Sequence, residues 1–387
     1  MHTQVAIVGA GPAGLLLAHL LDEAGIASVV LEQRSRLEVE TTIRAGVLEQ
    51  GTVDLLRAHG LAARLQVEGA VHAGIELRFD GRRHRVPLAE LTGGRTITVY
   101  AQHEVLKDLI AARVAAGAAP LFESRVTGIH CADSARPLLS FERNGASGQV
   151  RCDFVVGCDG FHGLVRQAIP LALRREYQAI HPFGWFGILL EAPRLSPELV
   201  YTRHARGFAL VSTRSETLQR LYFQCEPDER ITTWSDDRIL AELARRLETR
   251  DGPVAVHGRV VQRDLVAMRS FVCETMRHGR LLLAGDAAHI VPPTGAKGLN
   301  LAVNDVRLLA EALGEFYRAG RETGLQQYPA RCLARVWRAQ RFSVWMTHLL
   351  HRAPDDDPYR QRLQLAELDH VVGSRSAAAA LAEDYVG

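Results

Sequence analysis

The sequence has no long apolar run, no surplus of either charge and few aromatics. Its longest apolar stretch, Leu15 to Leu21, falls far short of the about 18 residues that a membrane helix needs. No membrane association is expected. Lys and Arg total 46 against 44 Asp and Glu, a net charge of +2. That balance excludes the basic surplus of a nucleic-acid binder. The six cysteines (Cys131, Cys152, Cys158, Cys225, Cys273, Cys332) form no CxxC pair, so neither a metal site nor a disulfide framework is expected. The first residues lack a basic segment followed by an apolar one and a cleavage site, so no signal peptide is read. Scattered thiols then fit a cytoplasmic location.

What is present is the mix of a globular protein, 47% hydrophobic and 23% charged over 387 residues, enough for two or three domains. Thr3 to Val8 reads as a buried strand, Leu15 to Ala24 as a helix and Ser28 to Leu31 as a second strand, a βαβ unit. Val105 to Ala116 is helical. Between about His181 and Gly258, short β-like runs alternate with turns, and Arg259 to Val272 continues them. Arg280 to Ala284 returns to a buried strand, and Ala296 to His351 is helical. The fold class expected is α/β: a Rossmann-like domain (1–70, 98–178 and 268–350), an inserted, mostly antiparallel β domain (71–97 and 179–267) and a helical C-terminal region (351–387). Arg331, Arg335, Arg338 and Arg341 share a helical face, read as solvated.

Gly9, Gly11 and Gly14 form GxGxxG between the first strand and the first helix, with Ala13 inside the motif. Gly9 permits the turn, Gly11 admits a pyrophosphate, and Gly14 lets helix and strand approach. The helix N-terminus favours phosphate. Glu32 ends the second strand, where an acid accepts hydrogen bonds from ribose hydroxyls. A dinucleotide is therefore expected. Two further strand–turn segments, Phe154 to Gly160 ending in Asp159-Gly160 and Leu281 to His289 containing Gly285-Asp286, bear on which one.

In the middle region, Leu210, Ser212 and Arg214 share one face of a strand, and Arg220, Tyr222 and Gln224 share one face of the next. An inward-facing arginine among apolar neighbours requires an anion, and a carboxylate matches its planar fork. That carboxylate belongs either to a protein acid or to a ligand, and the pattern leaves both open.

Together the three strand–turn motifs resemble the single-component flavoprotein aromatic hydroxylases. The run Arg44 to Gln50 and the run Pro292 to Asn300 extend that resemblance, specifically toward members acting on 4-hydroxybenzoate, over essentially the whole chain to Tyr385-Val386-Gly387. The resemblance implies FAD as cofactor, NADH or NADPH as reductant, O2 as co-substrate and 3,4-dihydroxybenzoate as product. It leaves open another substituted benzoate, or a substrate-stimulated NAD(P)H oxidase. It implies FAD contacts at Arg44, Val47, Gln102, Asp159, Arg220, Asp286, Gly298, Leu299 and Asn300. The carboxylate falls to Ser212, Arg214 and Tyr222. Val47, Trp185, Leu199, Leu210, Pro293, Thr294 and Ala296 surround the ring, and Pro293 joins the catalytic set.

Electrophilic oxygen transfer demands an electron-rich ring, so the site should assist loss of the phenol proton. The resemblance assigns this to Tyr201, with Tyr385 relaying the proton and His72 leading it to solvent. A histidine titrating near neutrality suits that exit. The resemblance also implies a nicotinamide surface at Gln33, Arg34, Glu38, His162, Arg166 and Arg269, and a homodimer. A helix beginning at Ala296 or Lys297 would turn free N–H groups toward reduced flavin.

One stretch departs from the family form associated with strict NADPH use. That form has Arg-Gln after the ribose acid, a tyrosine near 38 and an arginine near 42; here the run is Gln33-Arg34-Ser35-Arg36-Leu37-Glu38, with Thr42. Glu38 would repel a 2′-phosphate if it points at the adenosine, whereas Arg34 and Arg36 could still attract one. Substantial NADH use is the expected outcome. Steady-state kinetics with a kcat/KM for NADPH about tenfold or more above that for NADH would overturn it.

Overall fold

Val5–Val8 is apolar and wholly buried, and Ser28–Leu31 and Phe154–Gly157 pair with it in parallel on either side. The computed structural model of the chain describes residues 1–44, 46–132, 134–353 and 357–387. Ala45, within the run from Arg44 to Gln50, lies outside the described residues. Leu281–Leu283 extends the sheet beyond Phe154–Gly157, and Arg277–His278 closes that edge antiparallel. Strands buried on both faces read as unbroken apolar runs, which is why VAIV, FVVG and LLL were legible. The chain leaves Val5–Val8 toward one neighbour and later returns to its other side. A crevice opens at the carboxyl ends of strands where the order switches in this way.

The helix Pro12–Glu23 begins with proline, whose fixed φ suits the first turn. It packs against Gly298–Ala319 and Gln102–Ala115. An antiparallel meander, Ser124–His130, Leu138–Arg143 and Ala146–Arg151, lies beside this layer.

The second unit is an eight-stranded sheet. Its central strands are Glu176–Glu191, Leu218–Cys225, Gly207–Thr213 and Leu199–His204, all antiparallel neighbours. Ile75–Phe79 adds in parallel to Leu199–His204, and Arg82–Val86 follows. The β-rich middle expected from the pattern is therefore present, with one addition. Asp236–Leu247 is a helix, capped by Ser235 and acidic in its first turn. It covers one face of the sheet with Ile239, Leu243 and Leu247 against Val200, Ala209, Val211, Leu221 and Phe223. The opposite face carries Leu199, Tyr201, Leu210 and Tyr222 and packs on the C-terminal helices. Alternation of side chains thus assigns the two faces different tasks.

The long strands Glu176–Glu191 and Arg259–Cys273 pair over most of their length and cross the expected limits at 178 and 267. The helical stretch after 296 is two helices, Gly298–Ala319 and Thr323–Leu350, divided at Gly320 in a left-handed conformation. Pro358–Gly373 and Arg375–Val386 complete the C-terminal region. Among the described residues, no helix is long and apolar enough to cross a membrane.

The backbone approach at Gly14 is close: an added Cβ would stand 2.0 Å from the carbonyl oxygen of Gly9. Gly14→Ala should therefore destabilise the protein by about 1–3 kcal/mol. A thermal unfolding midpoint equal to that of the unchanged protein would contradict this packing.

Candidate active site

The crevice at the switch point is built for a dinucleotide. Gly9 has φ +103°, and a Cβ there would strike the carbonyl of Cys158. Gly11 differs: a Cβ would meet no atom of the chain within 4 Å, so this side of the turn is open to a ligand. The following helix has no capping side chain and no acid in its first turn, which leaves its N–H groups and positive dipole end for an anion. Glu32 is buried and accepts from the Ala10 N–H at 2.8 Å and from Arg34 N–H at 2.9 Å. Asp159 accepts from Val165 N–H, while its Oδ1 is buried without a partner. Asp286 is exposed, yet the chain surrounds it closely enough that reduced hydration raises its pKa, against the pull of Arg44. The turn bearing Asp286 is held from behind. Asp305, fully buried, accepts from Gly285 N–H at 3.0 Å and pairs with His289 at 2.6 Å. Burial alone would lower the His289 pKa, but Asp305 raises it. Neither residue was anticipated; no spacing in the sequence signals a support sixteen residues away on a helix.

The other wall descends from Pro292. Pro293–Gly295 forms one 3-10 turn and Ala296 takes a left-handed conformation, φ +54°, a strained choice for a residue with a Cβ. Gly298–Ala319 then starts with Lys297 as its N-cap, without a capping side chain. The helix thus begins one to two residues beyond the expected start at Ala296 or Lys297, because Ala296 is left-handed. A Cβ on Gly298 would also meet no atom of the chain within 4 Å. The open glycines, two uncapped helix starts and a buried unpartnered carboxylate oxygen together fit an FAD. Asn300 is turned inward: its amide holds the carbonyls of Val47 and Ala296 and accepts from Glu49 N–H and the Thr52 hydroxyl. Lys297, also unanticipated, is buried against Glu49 at 2.6 Å and the Tyr385 carbonyl at 2.9 Å. Burial lowers its pKa and Glu49 opposes that. Arg335 also reaches Glu49, so the row of arginines on its helix is not simply a solvated face.

The sheet face and the C-terminal helices enclose the third component. Val47, Trp185, Leu199, Tyr201, Leu210, Tyr222, Phe342 and Tyr385 belong to one apolar cluster. Thr294 is buried, its hydroxyl 2.9 Å from that of Thr347. The register places Leu210 opposite both Tyr201 and Tyr222, and Ser212 opposite Arg220. The Tyr201 and Tyr385 hydroxyls meet at 2.5 Å, bringing together residues 184 apart in sequence. Burial raises the pKa of both phenols.

The two arginines resolve the question of the anion differently. Arg220 has a protein acid: its Nη2 lies 2.8 and 2.5 Å from the oxygens of Asp264. Arg214 has none among the described residues. Its Nε and Nη1 are buried without partners, as are those of Arg220 and the Ser212 hydroxyl, so the difference between the two arginines lies in the missing acid. Burial lowers the Arg214 pKa, opposed by Tyr222. A buried cation with unused donors is costly, and it defines a place for an anion.

Other expected residues fall outside this enclosure. Arg166 is buried, donating to the carbonyls of Ala287 and Phe161 and stacked over Phe161 and Phe271. Its geometry is that of a structural tie and not of a surface receptor. His162 and Gln33 are exposed, Arg34 pairs with Glu32, and Arg269 lies over the Phe161 ring at 4.6 Å. The Glu38 carboxylate folds back onto Ser35, closing a capping box at the start of Arg36–Thr41. Arg44 is exposed and Gln102 opens the helix Gln102–Ala115. Trp185 gives its indole N–H to Nε2 of His351 at 2.6 Å, and His351 is a buried partner that sequence reading missed.

The chain matches the family model described as FAD binding domain over residues 2–343. It is 48% identical to the p-hydroxybenzoate hydroxylase of Acinetobacter baylyi over 387 residues, all of this chain and 96% of that protein. A 6-methylpretetramide 4-monooxygenase of Streptomyces rimosus is 30% identical, over 84% of this chain and 58% of its own length. Among solved structures, p-nitrophenol 4-monooxygenase from Pseudomonas putida superposes with a TM-score of 0.86 at 21% identity, covering 100% of this chain and 99% of that one. The fold is that of an FAD-dependent aromatic hydroxylase. Within that class the chain belongs to the p-hydroxybenzoate hydroxylase family.

His72 corrects one expectation. It does not titrate near neutrality: it is buried, and burial lowers its pKa to about 4. Leu199 N–H donates to its Nδ1, which puts the proton of the neutral ring on Nε2, an atom without a partner. The unfolded chain binds a proton here below pH 6.5, whereas the folded chain does so only near 4. Stability should therefore be lost as pH falls through that window, by up to about 3 kcal/mol from this residue. Urea unfolding of His72→Asn should show a flatter dependence between those limits; an unchanged slope would contradict the assignment.

Proposed function

We propose that the protein hydroxylates 4-hydroxybenzoate at the 3-position: NAD(P)H, a proton and O2 are consumed, and 3,4-dihydroxybenzoate, NAD(P)+ and water are formed. The observation that carries the reading is the Arg214 guanidinium, without an acid partner and beside Tyr222, which belongs to the same apolar cluster as the Tyr201–Tyr385 pair. A ligand carrying a carboxylate at one end and a phenol at the other meets both needs. The name of the relative that is 48% identical agrees.

In this reading Arg214, Ser212 and Tyr222 hold the carboxylate through charge-assisted hydrogen bonds. Tyr201 contacts the 4-hydroxyl and Tyr385 takes the proton onward. Their raised pKa values favour passage by exchange of hydrogen bonds between neutral phenols over ionisation of either tyrosine. We place His72 at the outlet as a neutral imidazole, beside the strand that carries Tyr201. Leu199, Leu210, Val47, Trp185, Pro293, Thr294 and Ala296 keep water from the ring. FAD, held by the GxGxxG turn, Asp159, Asp286 and the start of Gly298–Ala319, supplies the activated oxygen. We assign residues 1–70, 98–178 and 268–350 to the FAD domain, and NADH as a competent reductant at the exposed face near Gln33, Arg34, His162 and Arg269. We also assign a homodimer, supported by the exposed apolar side chains Leu171, Leu173, Tyr177, Ile180 and Trp337, and a cytoplasmic location, supported by six free cysteines.

The test uses FAD-loaded protein. 4-Hydroxybenzoate should stimulate NAD(P)H oxidation and yield stoichiometric 3,4-dihydroxybenzoate by chromatography. Tyr201→Phe should still bind the substrate but lose about 100-fold or more in hydroxylation rate. Oxidation without product would favour the substrate-stimulated oxidase; a full rate in Tyr201→Phe would remove the tyrosine relay.

A further inference from the structure

Two buried guanidiniums flank Tyr222. Arg220 lies with its Cζ 4.8 Å from the centre of the Tyr222 ring, and Tyr222 favours the charged form of both Arg214 and Arg220. Arg220 disfavours the charge on Arg214. Two cations this close would ordinarily attract two anions. Only one acid pairs with them among the described residues, Asp264, whose two oxygens both lie on Arg220 Nη2 and leave its Nε and Nη1 without partners.

That pairing depends on the sheet. Gly187 lies between Asp264 and Tyr222 in one row across three strands, paired with both. A Cβ on Gly187 would stand 1.8 Å from Asp264 Oδ1 and 2.7 Å from Arg220 Nη2. The missing side chain is the gap through which the carboxylate crosses to the arginine. Ser212, whose hydroxyl is unpartnered, sits directly opposite Arg220. The anion place beside Arg214 and Ser212 is thus within one register step of the Arg220 charge.

We propose that Asp264 sets the charge selectivity of the aromatic-acid site. By neutralising Arg220 it leaves Arg214 as the one uncompensated cation, so the site accepts a single carboxylate and disfavours a second one beside it. Asp264 acts through Arg220 and touches no substrate. This inference rests on the reading of Arg214 as the carboxylate anchor.

The experiment titrates the FAD-loaded protein with 4-hydroxybenzoate and with 4-hydroxyphthalate, which carries a second carboxylate next to the first, following the flavin absorbance change. The unchanged protein should bind the dianion about tenfold more weakly, since Arg220 is already neutralised by Asp264 and the second carboxylate finds no uncompensated cation. Asp264→Asn keeps the size and removes the charge, and should narrow the ratio of the two dissociation constants about tenfold. Asp264→Glu keeps the charge and should hold the ratio near its original value, which a merely structural role would not do. Gly187→Ala should narrow it as Asp264→Asn does; if that variant fails to fold, Asp264→Asn decides alone. A ratio that Asp264→Asn leaves within about twofold overturns the proposal. Failure of the unchanged protein to bind 4-hydroxybenzoate would instead overturn the Arg214 reading, and the two failures are distinct.

Discussion

Everything in this molecule is arranged around polar groups kept away from water. An unpaired guanidinium, two phenols and a neutral imidazole lie inside a largely apolar enclosure. Such groups are costly to bury without partners. The fold bears that cost with a large amount of surrounding apolar surface: one sheet face packed on the C-terminal helices, the other on Asp236–Leu247. The stability comes from the flanks, and the centre is left chemically unsatisfied for a ligand to complete.

The same division explains how the dinucleotide end is made. Gly9 and Gly14 are pressed against backbone, while Gly11 and Gly298 face open space. Identical residues therefore do opposite work, two closing the scaffold and two leaving room. Behind the turn, Asp305 fixes Gly285 and His289, so that Asp286 projects from a rigid base. Positions that touch a ligand and positions that hold them still are built from different kinds of contact.

This is also why the sequence was informative in some places and silent in others. The βαβ unit was legible because local periodicity and glycine spacing carry it. The face shared by Leu210, Ser212 and Arg214 was legible because side chains alternate along a strand, and the register bears it out. The helix Asp236–Leu247 was not read among the surrounding strand patterns. Asp264, His351, Lys297 and Asp305 were missed because each acts across a long loop closure that no local pattern encodes. Periodicity alone could not choose between protein acid and ligand for the buried arginines. The choice is made by Gly187, whose lack of a side chain admits Asp264 to Arg220 and not to Arg214.

The contact between Tyr201 and Tyr385 joins residues 184 apart, and that between Lys297 and Glu49 joins residues 248 apart. Trp185 and Gln224, neighbours across two strands, grip His351 and the backbone of Arg352, and so fasten the helical region to the sheet. Contacts of such separation form late, after the locally encoded units. During synthesis the GxGxxG unit emerges long before the phenol pair can assemble. The order of the chain thus leaves the phenol pair incomplete until its last helix, Arg375–Val386, has been made.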